Sequence, residues 1–143
     1  DATDVVTITF TDADGEGGAD GVSEVSGALT ASASYIGTLE LLHQEEDGEI
    51  ENVGAEIAEN EADEHEIFYI TDIEGLVIET TDVDSNNYPL GFDTDVTTGN
   101  AGSGSLTISI VHEGKKPNNG TVDDALSGGA TTDIEVVFSI EVE

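Results

Sequence analysis

SLTISIVHE, Ser105–Glu113, is the stretch whose reading decides the fold. Leu106, Ile108, Ile110 and His112 recur at every second position, the period of a strand whose successive side chains face opposite sides. The closing stretch Asp133–Glu143, DIEVVFSIEVE, repeats the pattern with Ile134, Val136, Phe138, Ile140 and Val142 on one face. Val5–Phe10 does so with Val6, Ile8 and Phe10, and Tyr35–His43 with Leu39, Leu41 and His43. His65–Thr71 and Leu76–Thr81 read as further strands, and Val22–Ser34 holds a weaker one. Phe92–Thr98 is expected to be a short edge strand, because Pro89 precedes it.

Between these runs lie turn residues: the loop Thr11–Gly21, the loop Thr81–Gly91, the Gly-rich turn Asn100–Gly104 and the long polar loop Lys115–Gly129. Gly supplies positive φ in such places, and Asp bonds its own backbone. One segment breaks the pattern. AEIAENEADEHEIFY, Ala55–Tyr69, packs Glu56, Glu59, Glu61, Asp63, Glu64 and Glu66 around His65 before turning into an aromatic strand. Asn52 can cap a helix over 53–64, with Val53, Ile57, Ala58 and Ala62 as a thin apolar stripe. The expected fold is therefore a mainly all-β domain over 1–143: an immunoglobulin-like antiparallel β-sandwich of about seven or eight strands with one short helical insertion. The Cys–Trp–Cys hallmark of true immunoglobulin domains is absent, so the expectation concerns architecture only.

Composition narrows function by exclusion. The formal charge is −31, and Lys115 and Lys116 are the only cations besides histidine. Nucleic-acid binding needs Lys and Arg against phosphate, and an anionic membrane would repel this surface. Such a field attracts cations or a basic partner. With no cysteine there is neither a disulfide framework nor a thiolate metal site. No apolar run approaches the roughly 18–20 residues of a membrane span. A chain that opens at Asp1 reads as the trimmed part of an exported protein.

Three constellations could carry chemistry. His43 and His112 each end a strand and His65 begins one. If the strands at His43 and His65 are antiparallel neighbours, all three imidazoles reach one rim. Imidazoles with carboxylates suit Zn²⁺, and three protein ligands leave an open position; Glu64, Glu66 and Glu113 are the nearest acids in sequence. His65 and His112 form the core pair, and His43 is a weaker third. The Asp-rich loops offer Asp12, Asp14, Glu16 and Asp20 in one and Asp82, Asp84 and Asn86 in the other, with the alternate oxygen spacing of Ca²⁺ loops. Neither completes an EF-hand. For catalysis there is no nucleophile elbow, phosphate-cradling loop or HExxH pair, and the expectation is a non-enzyme. Asn119-Gly120-Thr121 fits the glycosylation sequon, which marks an exposed loop.

VTITFTDADGEGG near the start, YIGTLELL, EADEHEIFY, SLTISIVHEGKKPN and the closing TDIEVVFSIEVE occur together and in order. As a set they resemble a family of small exported proteins of Bacteroidetes-type bacteria, often lipoproteins and sometimes labelled "type 1 periplasmic binding fold". The chain lacks the helix–strand alternation that such a label describes. Members of that family tend to sit beside outer-membrane TonB-dependent receptors and metal-responsive regulators. The resemblance thus implies an accessory protein in metal uptake, most readily of zinc, with a lipidated Cys upstream of Asp1 and an outer-membrane location, on the cell surface or the periplasmic face. It includes His65 and His112. The position of His43 is more often another polar residue in the relatives, which shifts weight to the other two and their acidic neighbours. Two other expectations compete: a calcium-stabilised surface or adhesion module, and an acidic module that docks a basic protein without metal.

Overall fold

The computed structural model describes residues 4–12 and 21–143. The described residues form ten strands, two α-helices and one 3-10 turn, and every strand pairing is antiparallel. β6 (His65–Thr71), β9 (Gly102–His112) and β10 (Thr131–Val142) make one sheet with β9 in the middle. β3 (Ser34–Thr38), β8 (Asp93–Thr97) and β7 (Val77–Thr80) make a second, with β8 in the middle. Two ribbons complete the set: β1 (Ile8–Thr11) with β2 (Val22–Val25), and β4 (Leu42–Gln44) with β5 (Ile50–Asn52). None of the four sheets is closed.

The alternation read in β9 and β10 does what period-two patterning predicts. Ile108 and Ile110 stand opposite Val136 and Ile134, and Leu106 opposite Phe138. On the other side of β9, Ile110 meets Ile67 and Ile108 meets Tyr69. These residues share one face of the sheet. At one end, buried Leu106, Phe138, Ile140 and Val142 pack with Ile73 and Leu76 and against Ile78 of β7 and Val96 of β8. At the other, Ile67 and Ile110 pack with Ile57, Leu90 and Phe92. The opposite face of the same sheet buries Phe68 and Val111 under Ala125.

Local chemistry sets the helices. Asn52 accepts a hydrogen bond from the amide of Ala55 at 2.9 Å, capping α1 (Val53–Asn60) as its sequence predicts. The helix closes at Asn60, short of the expected Glu64; Ala62–Glu64 winds as the 3-10 turn. Ile57 is buried, whereas Ala58, placed on the apolar stripe from sequence, is exposed. The loop expected over 115–129 contains a second helix, α2 (Val122–Leu126), capped by Thr121 and supplying Ala125 to the core.

The described strands number ten rather than the expected seven or eight, and two of the expected strands change in character. Phe92–Thr98 is not an edge: β8 is central, because Pro89 lies ahead of it, in an isolated bridge with Val83, and removes no donor from its ladder. Tyr35–His43 is not one strand. The Leu39 amide still donates to Phe92, but the Leu41 carbonyl accepts from Gly54 at the start of α1, so the chain leaves the sheet there and begins the separate β4–β5 ribbon.

Candidate metal centre

His65 and His112 stand directly opposite each other at the end of the β6–β9 ladder. Period two puts both on the face that carries Ile67 and Ile110. Their rings stack, 4.6 Å between centroids and 7° from parallel. His65 is 5% exposed; the side chain of His112 is 37% exposed. The stack therefore has an inner ring locked in the protein and an outer ring at its rim.

Sequence reading passed over the third member, Asp133. In β10 the register runs Thr131 to His112 and Thr132 to Val111, then resumes with Ile134 to Ile110, leaving Asp133 as an extra residue in a β-bulge. Simple alternation assigns Asp133 to the face away from Ile134. The bulge brings its carboxylate to the histidines instead: Oδ2 lies 3.9 Å from His65 Nε2 and 3.9 Å from His112 Nδ1. Asp133 thus completes a group of three with one ligand atom each, all within 4.8 Å of one another.

The backbone sets the chemistry of the inner ring. His65 Nδ1 lies 3.0 Å from the carbonyl oxygen of Glu61. A carbonyl can only accept, so Nδ1 carries a proton, and in the neutral ring the lone pair is on Nε2, on the Asp133 side. A carbonyl orienting the remote nitrogen is the arrangement typical of a ligating histidine. Glu61 occupies that position because it closes α1, where its own amide donates to Ile57.

A second group adjoins the first on the outside. Glu64 Oε2 lies 3.7 Å from His112 Nε2, and Glu64, His112 and Glu113 again offer three ligand atoms within 4.8 Å. Glu113 turns back through a left-handed backbone, φ 55°, and its amide donates to the Glu64 carbonyl at 2.6 Å. That bond ties the end of β9 to the 3-10 turn and keeps the two acids side by side.

The donor set fits a borderline ion such as Zn²⁺ better than Ca²⁺, which prefers six or more oxygens. An ion bonded at about 2.1 Å in a tetrahedral site holds its ligand atoms about 3.4 Å apart. Asp133 lies 3.9 Å from each imidazole nitrogen, close to that spacing, and the two imidazole nitrogens lie within 4.8 Å of each other. Stacking sets one further requirement: the lone pairs lie in the ring planes, so two parallel rings cannot both address one point until one of them turns. His112 is the ring with room to do so.

The other expected ligands lie elsewhere. His43 sits exposed in β4 opposite Glu51 and belongs to neither group among the described residues. The assumption that its strand neighbours His65 fails because β4 pairs with β5 and β6 with β9. Glu66 follows His65 in β6 and so faces the other side; it is buried and accepts a hydrogen bond from Asn118 at 2.9 Å. Burial pushes its carboxyl above the ordinary range, which the Asn118 bond and the Lys116 charge only partly offset.

Hydrogen bonds within the protein run through the Asp82–Asn86 loop. Asp82 accepts from the amides of Gly91 and Phe92. Asp84 accepts from the amides of Asn86 and Tyr88 through Oδ1, and through Oδ2 from Lys116 Nζ at 2.9 Å. Both Asp84 oxygens are engaged, and the Lys116 ammonium supplies a positive charge beside them. Burial opposes ionisation of Asp84, but the Lys116 bond, the two amides and the Lys116 charge outweigh it and hold the carboxyl below its usual value. Asp12 lies at the surface just past β1, and Asp14, Glu16 and Asp20 lie outside the described residues.

No described helix is long and apolar enough to cross a membrane. Comparison of the chain with protein-family models, with curated proteins and with solved structures finds no match.

Proposed function

We propose that the chain is a single-domain, non-enzymatic, immunoglobulin-like β-sandwich protein that binds a divalent transition metal, most naturally Zn²⁺, through His65, His112 and Asp133. One observation carries this reading: a buried imidazole, its Nδ1 held by the Glu61 carbonyl, has its Nε2 on the side of a carboxylate re-aimed by a bulge, with a second imidazole stacked beside it. The sandwich reading is supported by the apolar cluster that joins the β10–β9–β6 sheet to Ile78 and Val96 of the other three-stranded sheet.

Three protein ligands leave a coordination position open, which suits an ion that must be passed on rather than retained. Attached to the family resemblance, the reading becomes an outer-membrane-associated accessory lipoprotein that captures the ion for a TonB-dependent receptor. That part rests on the resemblance alone, and pull-down of such a receptor from a membrane extract tests it. For the adhesion-module alternative, one of the two candidate calcium loops has its Asp84 carboxylate paired with Lys116. Docking of a basic partner keeps the support of a net charge of −31 but is not tied to any particular residues.

Isothermal titration with Zn²⁺ tests the metal reading. Wild-type protein takes up the ion, and the His65→Ala, His112→Ala double variant loses more affinity than the roughly 10–100-fold typical of removing an outer-shell partner. Binding also releases protons and weakens in acid, because imidazole must be neutral to ligate. Equal affinity in the two proteins would sink the site.

A further inference from the structure

The geometry points to a two-position site in which His112 serves an inner ion through Nδ1 or an outer ion through Nε2, but not both at once. This rests on the zinc reading above and adds to it a route of entry and release. His112 Nδ1 faces Asp133, which also faces the buried His65; His112 Nε2 faces Glu64, beside Glu113. The two groups share no other member.

A neutral imidazole has one lone pair and one N–H. With the ion inside, Nδ1 ligates and Nε2–H donates toward Glu64. With the ion outside, Nε2 ligates and Nδ1–H donates toward Asp133. Each position therefore supplies the hydrogen-bond acceptor that the other position's tautomer needs. The groups compete for the single lone pair of one neutral imidazole, and one ion occupies one or the other.

Their exposures give the exchange a direction. Glu64 and Glu113 are exposed, and the Glu64 side chain is 52% accessible. The inner position is backed by His65 at 5%. Two exposed carboxylates and the outward nitrogen of His112 form the weaker, faster station, where an ion arrives or is collected. To pass inward the ion leaves Nε2, which takes up a proton from water, while Nδ1 gives its proton to water and binds the ion; rotation of His112 out of the stack lets that nitrogen share the ion with the fixed lone pair of His65. The same rotation satisfies the in-plane requirement that two parallel rings cannot meet.

The decisive experiment uses protein labelled with nitrogen-15 in histidine, one equivalent of Zn²⁺, and long-range proton–nitrogen correlation spectra that identify which His112 nitrogen is bound. In the wild type the bound nitrogen is Nδ1, with a stoichiometry of one. In Asp133→Asn the inner carboxylate is gone; the bound nitrogen of His112 becomes Nε2 and affinity falls at least tenfold. In Glu64→Gln, Glu113→Gln the bound nitrogen stays Nδ1, while stopped-flow capture of Zn²⁺ slows several-fold. The same nitrogen bound in both variants, or a second equivalent with both nitrogens bound, overturns the two-position site and leaves the zinc reading standing. A wild type that takes up no zinc overturns the zinc reading itself.

Discussion

Replacing Lys116 by Met probes the part of the molecule that braces the candidate centre. The side chain of Lys116 is 8% exposed and that of Asp84 is fully buried; their 2.9 Å contact is a buried ion pair. Lys116 also donates to the carbonyl of Ala62, at the start of the 3-10 turn that leads to Glu64 and His65. Met matches the length of the lysine stem without the charge, so Asp84 is left as a buried anion with two amide donors and no counter-ion. Removing one partner of a buried pair costs about 3–5 kcal/mol, against about 0–1 kcal/mol for a surface pair. For a chain of this size that is a fall in Tm of roughly 10–15 °C. The sign with pH is also fixed. The folded-state pKa of Asp84 is depressed, so its contribution is present above the unfolded value of about 3.9 and is lost as pH falls below it through the folded value. The gap between wild type and variant should therefore be widest at neutral pH and narrow below about pH 4. Denaturant melts at several pH values measure both. Asp84→Asn added to Lys116→Met removes the stranded charge while keeping an oxygen for the amides, and should recover more than half of the loss. A single-variant loss below about 1 kcal/mol would refute the reasoning, since the pair would then behave as one at the surface.

Other changes test separate links. Glu66→Gln should raise Tm at pH 7 by a few degrees: its folded pKa is raised, chiefly by burial, so native stability falls as pH rises from about 4.3 toward the folded value, and the amide abolishes that slope. Gly91→Ala should cost about 2–5 kcal/mol in a denaturant melt or prevent folding, because φ is +115° there and a Cβ would lie 2.7 Å from that of Ile67. Asn52→Ala should remove the α1 cap for about 1 kcal/mol, seen as a drop of about 3 °C in thermal melts with helix content otherwise retained.

How much was legible in the sequence depended on whether a signal was local. Period two in Ser105–Glu113 and in Asp133–Glu143 revealed the two long strands, and the Asn52 cap revealed α1, because each rests on residues a few positions apart. The same alternation carried His112 to the correct end of its strand and His65 to the start of another. Their direct apposition is a matter of register between β6 and β9, which no single strand encodes. His43 lies apart for that reason and one more: the alternating run that ends at it is broken after Thr38, and its own strand, Leu42–Gln44, pairs with β5. α2 was hidden because a five-residue helix offers too few turns to show a periodicity, although Thr121 followed by Asp123 and Asp124 is a start signal. The Asp82–Asn86 loop looked like a calcium loop because its oxygens are spaced like one; what occupies them comes from amides at Asn86, Tyr88, Gly91 and Phe92 and from Lys116, more than thirty positions away from Asp84.

The bulge at Asp133 makes the candidate centre a matter of counting rather than of spelling. Between Thr132 and Ile134 the strand carries one residue more than its partner needs. A homologous chain with both histidines, the same apolar face and plenty of acids, but one residue fewer at this point, would pair its ladder without a fault and send no carboxylate from this strand to His65 Nε2 and His112 Nδ1. Two such chains would look nearly identical in an alignment scored by residue type, and the single gap between them would separate a chain that brings an aspartate to the paired histidines from one that does not.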